Sequence, residues 1–158
     1  MASTTRWIID SAYTAPTFTA GDLNSLASGG GALATTTVAN ATNLDQYGDV
    51  SFVVTVGGTT TTGSYITIFL LPLNQDATTY GDGYASSTTT QPAAGYAVGS
   101  IGVKVGVTSG NTVTGTIPFV NLPPRTFKLA FGNNLGVALS ATAALTLSLS
   151  AYNTNLNV

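Results

Sequence analysis

The chain has 158 residues, of which 44% are hydrophobic, enough for one complete core and too few residues for two ordinary domains. Only 6% are charged and the net charge is −2, against roughly 25% charged residues in an ordinary soluble domain. Histidine and cysteine are absent and the only cations are Arg6, Lys104, Arg125 and Lys128. Together these exclude a disulfide framework, thiolate or imidazole metal ligands, and a basic stripe able to neutralise a row of phosphates.

All six acidic residues are aspartates (Asp10, Asp22, Asp45, Asp49, Asp76 and Asp82), and glutamate is missing. Thr, Val, Ser, Tyr and Gly stand where exposed helices would carry Glu, Lys and Arg, so long surface helices are not expected. So little charge leaves almost no repulsion between copies, a condition that favours association.

Residues 1–30 read as an N-terminal arm with one short helix, ahead of a sandwich domain over 31–158. Met1 to Asp10 holds Arg6 without a following apolar run, unlike a signal peptide. No stretch approaches the roughly 18 apolar residues of a membrane span. The expectation is a soluble product made in the cytoplasm, with no membrane or nucleic-acid partner. Trp7, Ile8 and Ile9 form an apolar knot, with Tyr13, Pro16 and Phe18 after it. This segment reads as an arm or edge strand that either plugs the chain's own core or anchors in a neighbour. From Thr19 to Ala27, Leu23 and Leu26 at i, i+3 predict a helix, with Thr19 as N-cap and Asp22 three residues on. Ser28 to Gly31 ends it.

Beyond that glycine run the hydrophobic period becomes two, the spacing of strands. Ala32–Val38 is a weak strand candidate, Asp49–Val56 a strong one. Ser64–Leu73 sets Ile66, Ile68 and Leu70 against Phe69 and Leu71, which predicts burial on both faces. The long loop Asn74–Gly95, with Tyr80, Tyr84 and, at its edge, Tyr96, is a natural contact surface. Ala97–Val107 places Ile101, Val103, Val105 and Val107 on a core face. The Ser109-Gly110-Asn111 turn then predicts a hairpin with Thr112–Val120. Pro123 and Pro124 stop pairing, Thr126–Phe131 turns Phe127, Leu129 and Phe131 inward, and Asn133-Asn134 reads as a second turn. Ala143–Tyr152 alternates Leu145, Leu147 and Leu149 with Thr and Ser. The uncharged tail Tyr152–Val158 is suited to extending a partner's sheet. Seven or eight such strands, without a fixed-period repeat, predict an all-β, two-sheet antiparallel β-sandwich, jelly-roll-like.

General acid–base catalysis needs a group brought near working pH, and His and Glu are missing. A serine nucleophile would lack a base within any recognisable motif. A non-enzyme without cofactor is the expectation. Asp76 and Asp82, near Asn74 and Gln75, offer oxygen atoms to Ca²⁺, but the spacing fits no EF-hand loop. Aspartates in glycine-containing turns more often bind their own backbone, and the same holds for Asp45 and Asp49 around Tyr47-Gly48. No metal site is assigned. Tyr80, Tyr84 and Tyr96 could stack on sugars, although loop tyrosines more often cover a sheet end or lie in a subunit interface.

Several segments carry a family resemblance. They are Leu23-Asn24-Ser25-Leu26-Ala27-Ser28-Gly29, Asn43-Leu44-Asp45-Gln46-Tyr47-Gly48-Asp49-Val50, Leu70-Leu71-Pro72-Leu73-Asn74-Gln75-Asp76 with Thr79-Tyr80-Gly81-Asp82-Gly83, Leu122-Pro123-Pro124 before Phe127-Lys128, and the Tyr152-Asn153 ending. Together they resemble the small jelly-roll decoration, or cement, proteins of tailed bacteriophages. The resemblance implies a non-catalytic virion protein on the outer surface of the phage head, bound to the major capsid protein and to itself as a dimer or trimer. Trp7, Ile8, Ile9, Phe18, Tyr80, Tyr84 and Tyr96 are the candidate intermolecular contacts. The alternative is a β-sandwich carbohydrate-binding or tail adhesin component using Tyr80, Tyr84 and Tyr96.

Overall fold

Strict alternation over Tyr47–Thr55 sends Val50, Phe52 and Val54 inward, each at most 2% exposed, and turns Ser51 and Val53 outward. This pattern repeats through the computed structural model, which describes residues 4–12, 16–83, 90–142 and 145–157, with side chains over 16–83, 90–142 and 145–153. The strands are β1 (Thr4–Ala12), β2 (Gly31–Leu33), β3 (Val38–Ala39), β4 (Tyr47–Thr55), β5 (Tyr65–Pro72), β6 (Ala97–Gly102), β7 (Thr112–Asn121), β8 (Thr126–Asn134) and β9 (Thr146–Asn157). Two single-turn helices, α1 (Ala20–Leu23) and α2 (Asn40–Asn43), lie in connections.

The first sheet has the order β1-β9-β4-β7 and the second β2-β8-β5-β6, with β3 also pairing β8. Every pairing is antiparallel. Counting β2 and β3 as one interrupted strand leaves eight. The first then pairs with the eighth, the second with the seventh, the third with the sixth and the fourth with the fifth. That is a long antiparallel ribbon folded over into two facing sheets, the jelly roll.

Between the sheets lies the main core, with Phe52, Ile66, Ile68, Phe127, Leu129, Phe131 and Leu147 at most 2% exposed. Burying each such side chain contributes about 1.5–3 kcal/mol before chain entropy is charged against it. A second, smaller cluster covers the outer face of the second sheet, where Leu33, Phe69, Leu71 and Ala130 meet Tyr80, flanked by Leu73 and Tyr96. Hence both faces of β5 are buried. The loop after β5 folds back over its own sheet instead of standing off it.

Several expectations are corrected. The helix is one turn, Ala20–Leu23, and Thr19 makes no side-chain cap bond. Leu23 and Leu26 are nonetheless buried, because Ser25 at φ +55° redirects the chain. The weak strand at 32–38 splits into β2 and β3. The predicted hairpin does not form: β6 ends at Gly102 in the second sheet, and β7 pairs with β4 in the first. Between them the chain wraps around buried Thr60, whose Oγ1 donates to Lys104 O at 2.7 Å and accepts from Val107 N at 3.0 Å. Val105, expected inward, is 54% exposed. Asn133 and Asn134 belong to β8 rather than to a turn. The tail, expected to extend a partner's sheet, runs to Asn157 in β9 and pairs with β1 of its own chain. Of the two N-terminal readings, β1 takes that of edge strand.

Candidate functional site: the outer face of the first sheet

Across β7, β4 and β9 the register aligns Thr116, Ser51 and Ser148 in one row and Thr114, Val53 and Thr146 in the next. Because side chains alternate, these residues share the face turned away from the core. Thr114, Thr116, Thr146 and Ser148 are exposed, and the Ser51 and Thr116 hydroxyls bond each other at 2.8 Å. Among the described outward residues of these three strands only Asp49 is charged. A hydroxyl-clad sheet face loses less hydration on contact than a Lys/Glu face would.

One end of this face is aromatic. Tyr47 and Tyr152 are register partners and stack with centroids 6.1 Å apart, while Phe119 meets Tyr152 edge-on at 6.0 Å. A β-bulge makes this possible: between Gly48 and Val50 the pairing with β7 slips, and Phe119 takes φ +56° there and is 62% exposed. Left-handed backbone at a bulky residue is costly and persists only where its surroundings enforce it. Here Asp49 does so. Its Oδ1 accepts both the Phe119 amide and the Tyr152 hydroxyl, each at 3.0 Å. Burial, and then the neighbouring Asp49 carboxylate, push the Tyr152 hydroxyl above its ordinary pKa of 10.0, keeping it a proton donor.

Beneath this end a buried polar knot fixes the approach to β4. Asn40 Nδ2 donates to Asp45 O and Pro123 O at 2.9 and 2.8 Å, and its Oδ1 accepts the Asp45 amide at 2.8 Å. Asn153 clamps the same corner, donating to Asp45 Oδ1 at 3.0 Å and accepting the Gln46 amide at 2.9 Å. Leu44 is thereby held left-handed at φ +56° and 57% exposed, beside the aromatic end.

The residues singled out from sequence are dispersed. Trp7, Ile8 and Ile9 lie in β1, their backbone opposite Thr154, Asn153 and Tyr152 of the same chain. Phe18 is half-buried against the main core. Tyr80 is only 7% exposed, inside the smaller core with Lys128 Nζ 5.0 Å above its ring, so it is no surface platform. Tyr96 is half-buried against the same cluster, and Tyr84 lies outside the described residues. Tyr80 and Tyr96 do come together, as packing.

Asp76 and Asp82 act as turn residues. Asp76 accepts the Thr78 and Thr79 amides at 3.0 and 2.9 Å and the Thr79 hydroxyl, which holds its carboxyl down at about 2. Asp82 accepts the Ala93 amide at 2.7 Å. Among the described residues no group of three or more acidic, His or Cys side chains converges as a metal site would require.

The Tyr47–Phe119–Tyr152 cluster escaped the sequence reading because its members stand far apart in the chain. The local hints were Asp49, a lone charge on the outward face of β4, and Pro118 just ahead of Phe119. No family model matches the chain, and no curated protein is significantly similar to it.

Proposed function

We propose that the protein is a non-catalytic virion component, a decoration or cement protein that docks on the major capsid shell of a tailed-phage head and stiffens it. The observation that carries this reading is the outer face of the first sheet: uncharged over two rows across β7, β4 and β9, and ending in Phe119, Tyr152 and Tyr47. An exposed ring, Phe119, held against half-buried Tyr47 and buried Tyr152 and set beside weakly hydrated hydroxyls, has the ingredients of a protein-binding patch. Jelly rolls recur in viral capsid proteins, and the family resemblance of the sequence points the same way. Modest affinity per copy suffices, because contacts repeated over a lattice combine through effective concentration. Self-association into dimers or trimers across capsomer junctions is part of the proposal.

The test compares phage heads with and without the protein. Bound protein should saturate at a fixed ratio to capsid subunits and raise the temperature at which heads release DNA. Ser51→Lys with Ser148→Lys, placed in the middle of the face, should abolish binding while leaving the circular dichroism spectrum intact. Unsaturable binding, or full binding by the double lysine variant, would exclude this face as the docking surface.

A further inference from the structure

On the opposite side of the sandwich, two adjoining hollows of about 380 and 270 Å³ flank Tyr65 and Asn134, which line both. Together they have the size of a small-ligand site. Tyr65 is 42% exposed at the start of β5, opposite Asn134 of β8.

The polar groups here are wired to one another. Gln91 Nε2 donates to Asn134 Oδ1 at 3.0 Å, and Asn134 Nδ2 returns a bond to Gln91 Oε1 at 3.3 Å. Asn134 Nδ2 also reaches Thr67 Oγ1 at 3.4 Å, and the Thr67 and Ser100 hydroxyls bond at 2.9 Å. Space for the Gln91 amide exists because β8 carries Gly132 beneath it. A Cβ there would stand 2.8 Å from Gln91 Oε1 and 2.9 Å from the Phe69 ring. The paired Gly31 likewise leaves room for the backbone at Thr90 and Gln91.

We infer that this cleft binds a neutral saccharide. Among the described lining residues none is a cation that would hold a phosphate or carboxylate, and none is an acid that would hold a cation. Carboxamides and hydroxyls each present donors and acceptors, as sugar hydroxyls require of a partner. Tyr65, 42% exposed and lining both hollows, offers the aromatic surface on which the C–H face of a pyranose packs. Mutual hydrogen bonding holds Gln91, Asn134, Thr67 and Ser100 in place before a ligand arrives, which lowers the ordering cost of binding. Tyr65, at the centre of the cleft, takes the role that sequence reasoning gave to Tyr80, Tyr84 and Tyr96. The inference stands independently of capsid docking, which uses the other sheet.

The test is an array of neutral oligosaccharides, built from hexoses, N-acetylhexosamines and deoxyhexoses, beside sialylated and sulfated ones, probed with the free protein. Retained sugars are then titrated by NMR. Neutral sugars should be retained, with shifts centred on Tyr65, Thr67, Ser100 and Asn134. Tyr65→Ala should weaken binding by about tenfold or more, Tyr65→Phe should restore most of it, and Phe119→Ala, on the other face, should leave it unchanged. Retention of acidic glycans alone, no retention of any neutral glycan, shifts centred elsewhere, or undiminished binding by Tyr65→Ala would each overturn the assignment.

Discussion

Replacing Asn133 by alanine strips three hydrogen bonds from a fully buried position. Asn133 Nδ2 donates to Leu26 O at 2.8 Å and Val137 O at 3.0 Å, and Oδ1 accepts the Leu135 amide at 3.1 Å. One side chain thus ties the segment after α1, and the turn after β8, to the second sheet. Each bond contributes about 1 kcal/mol net, while each orphaned partner costs about 1–3 kcal/mol where water cannot replace Asn133. Some solvent re-enters the space vacated at this loop end, so the expected loss is about 3 kcal/mol, or about 6–12 °C in melting temperature for a domain of this size.

Asn133→Asp refines the test. The isosteric carboxylate would aim an oxygen at two carbonyl oxygens, so the folded state raises its pKa above the unfolded value of about 3.9. Its penalty relative to wild type should be small below that value, where the protonated acid still donates one bond, and should grow as pH rises through the raised pKa. Urea unfolding followed by tryptophan fluorescence from pH 3 to 8 measures both effects. An alanine variant within about 0.5 kcal/mol of wild type, or an aspartate variant whose deficit ignores pH, would refute the reasoning.

Gly115 lies in β7 where a Cβ would stand 2.7 Å from Ile101 Cδ1 and 2.8 Å from the Phe52 ring. Gly115→Ala should therefore overpack the space between the sheets and cost about 1–3 kcal/mol, read as a lower urea midpoint at unchanged m-value; no shift would mean that Phe52 can move aside. The Asp76 carboxyl, held at about 2 by Thr78 and Thr79, should titrate well below an ordinary aspartate when followed by carbonyl NMR. Its folded pKa is depressed, so its contribution is complete above the unfolded value of 3.8 and fades as pH falls toward 2. A midpoint between about 3.5 and 4 would show that the turn bonds do not persist in solution.

Strand content and facing were legible because both follow from local alternation. Phe127, Leu129 and Phe131 in β8, and Leu147 and Leu149 in β9, are buried in the phase that the sequence prescribes. The double burial of β5 was also readable, since an unbroken apolar run leaves neither face fit for water. Partner choice was not. A Ser-Gly-Asn turn reports only that the chain reverses, and whether the reversal stays in one sheet depends on residues far away, here Thr60 gripping Lys104 and Val107. The same limit hid the aromatic end of the first sheet and the Tyr65 cleft, whose members meet only after the ribbon folds over. By itself, then, the sequence determined a sparsely charged, all-β chain without histidine or glutamate, because composition and the period of two need no third dimension. Only the tertiary structure decided that Tyr80 is core, that the tail is held by β1, and that Phe119, Tyr152 and Tyr47 meet on one outer face while Gln91 and Asn134 link on the other, because antiparallel pairing over long separations sets what each side chain has beside it.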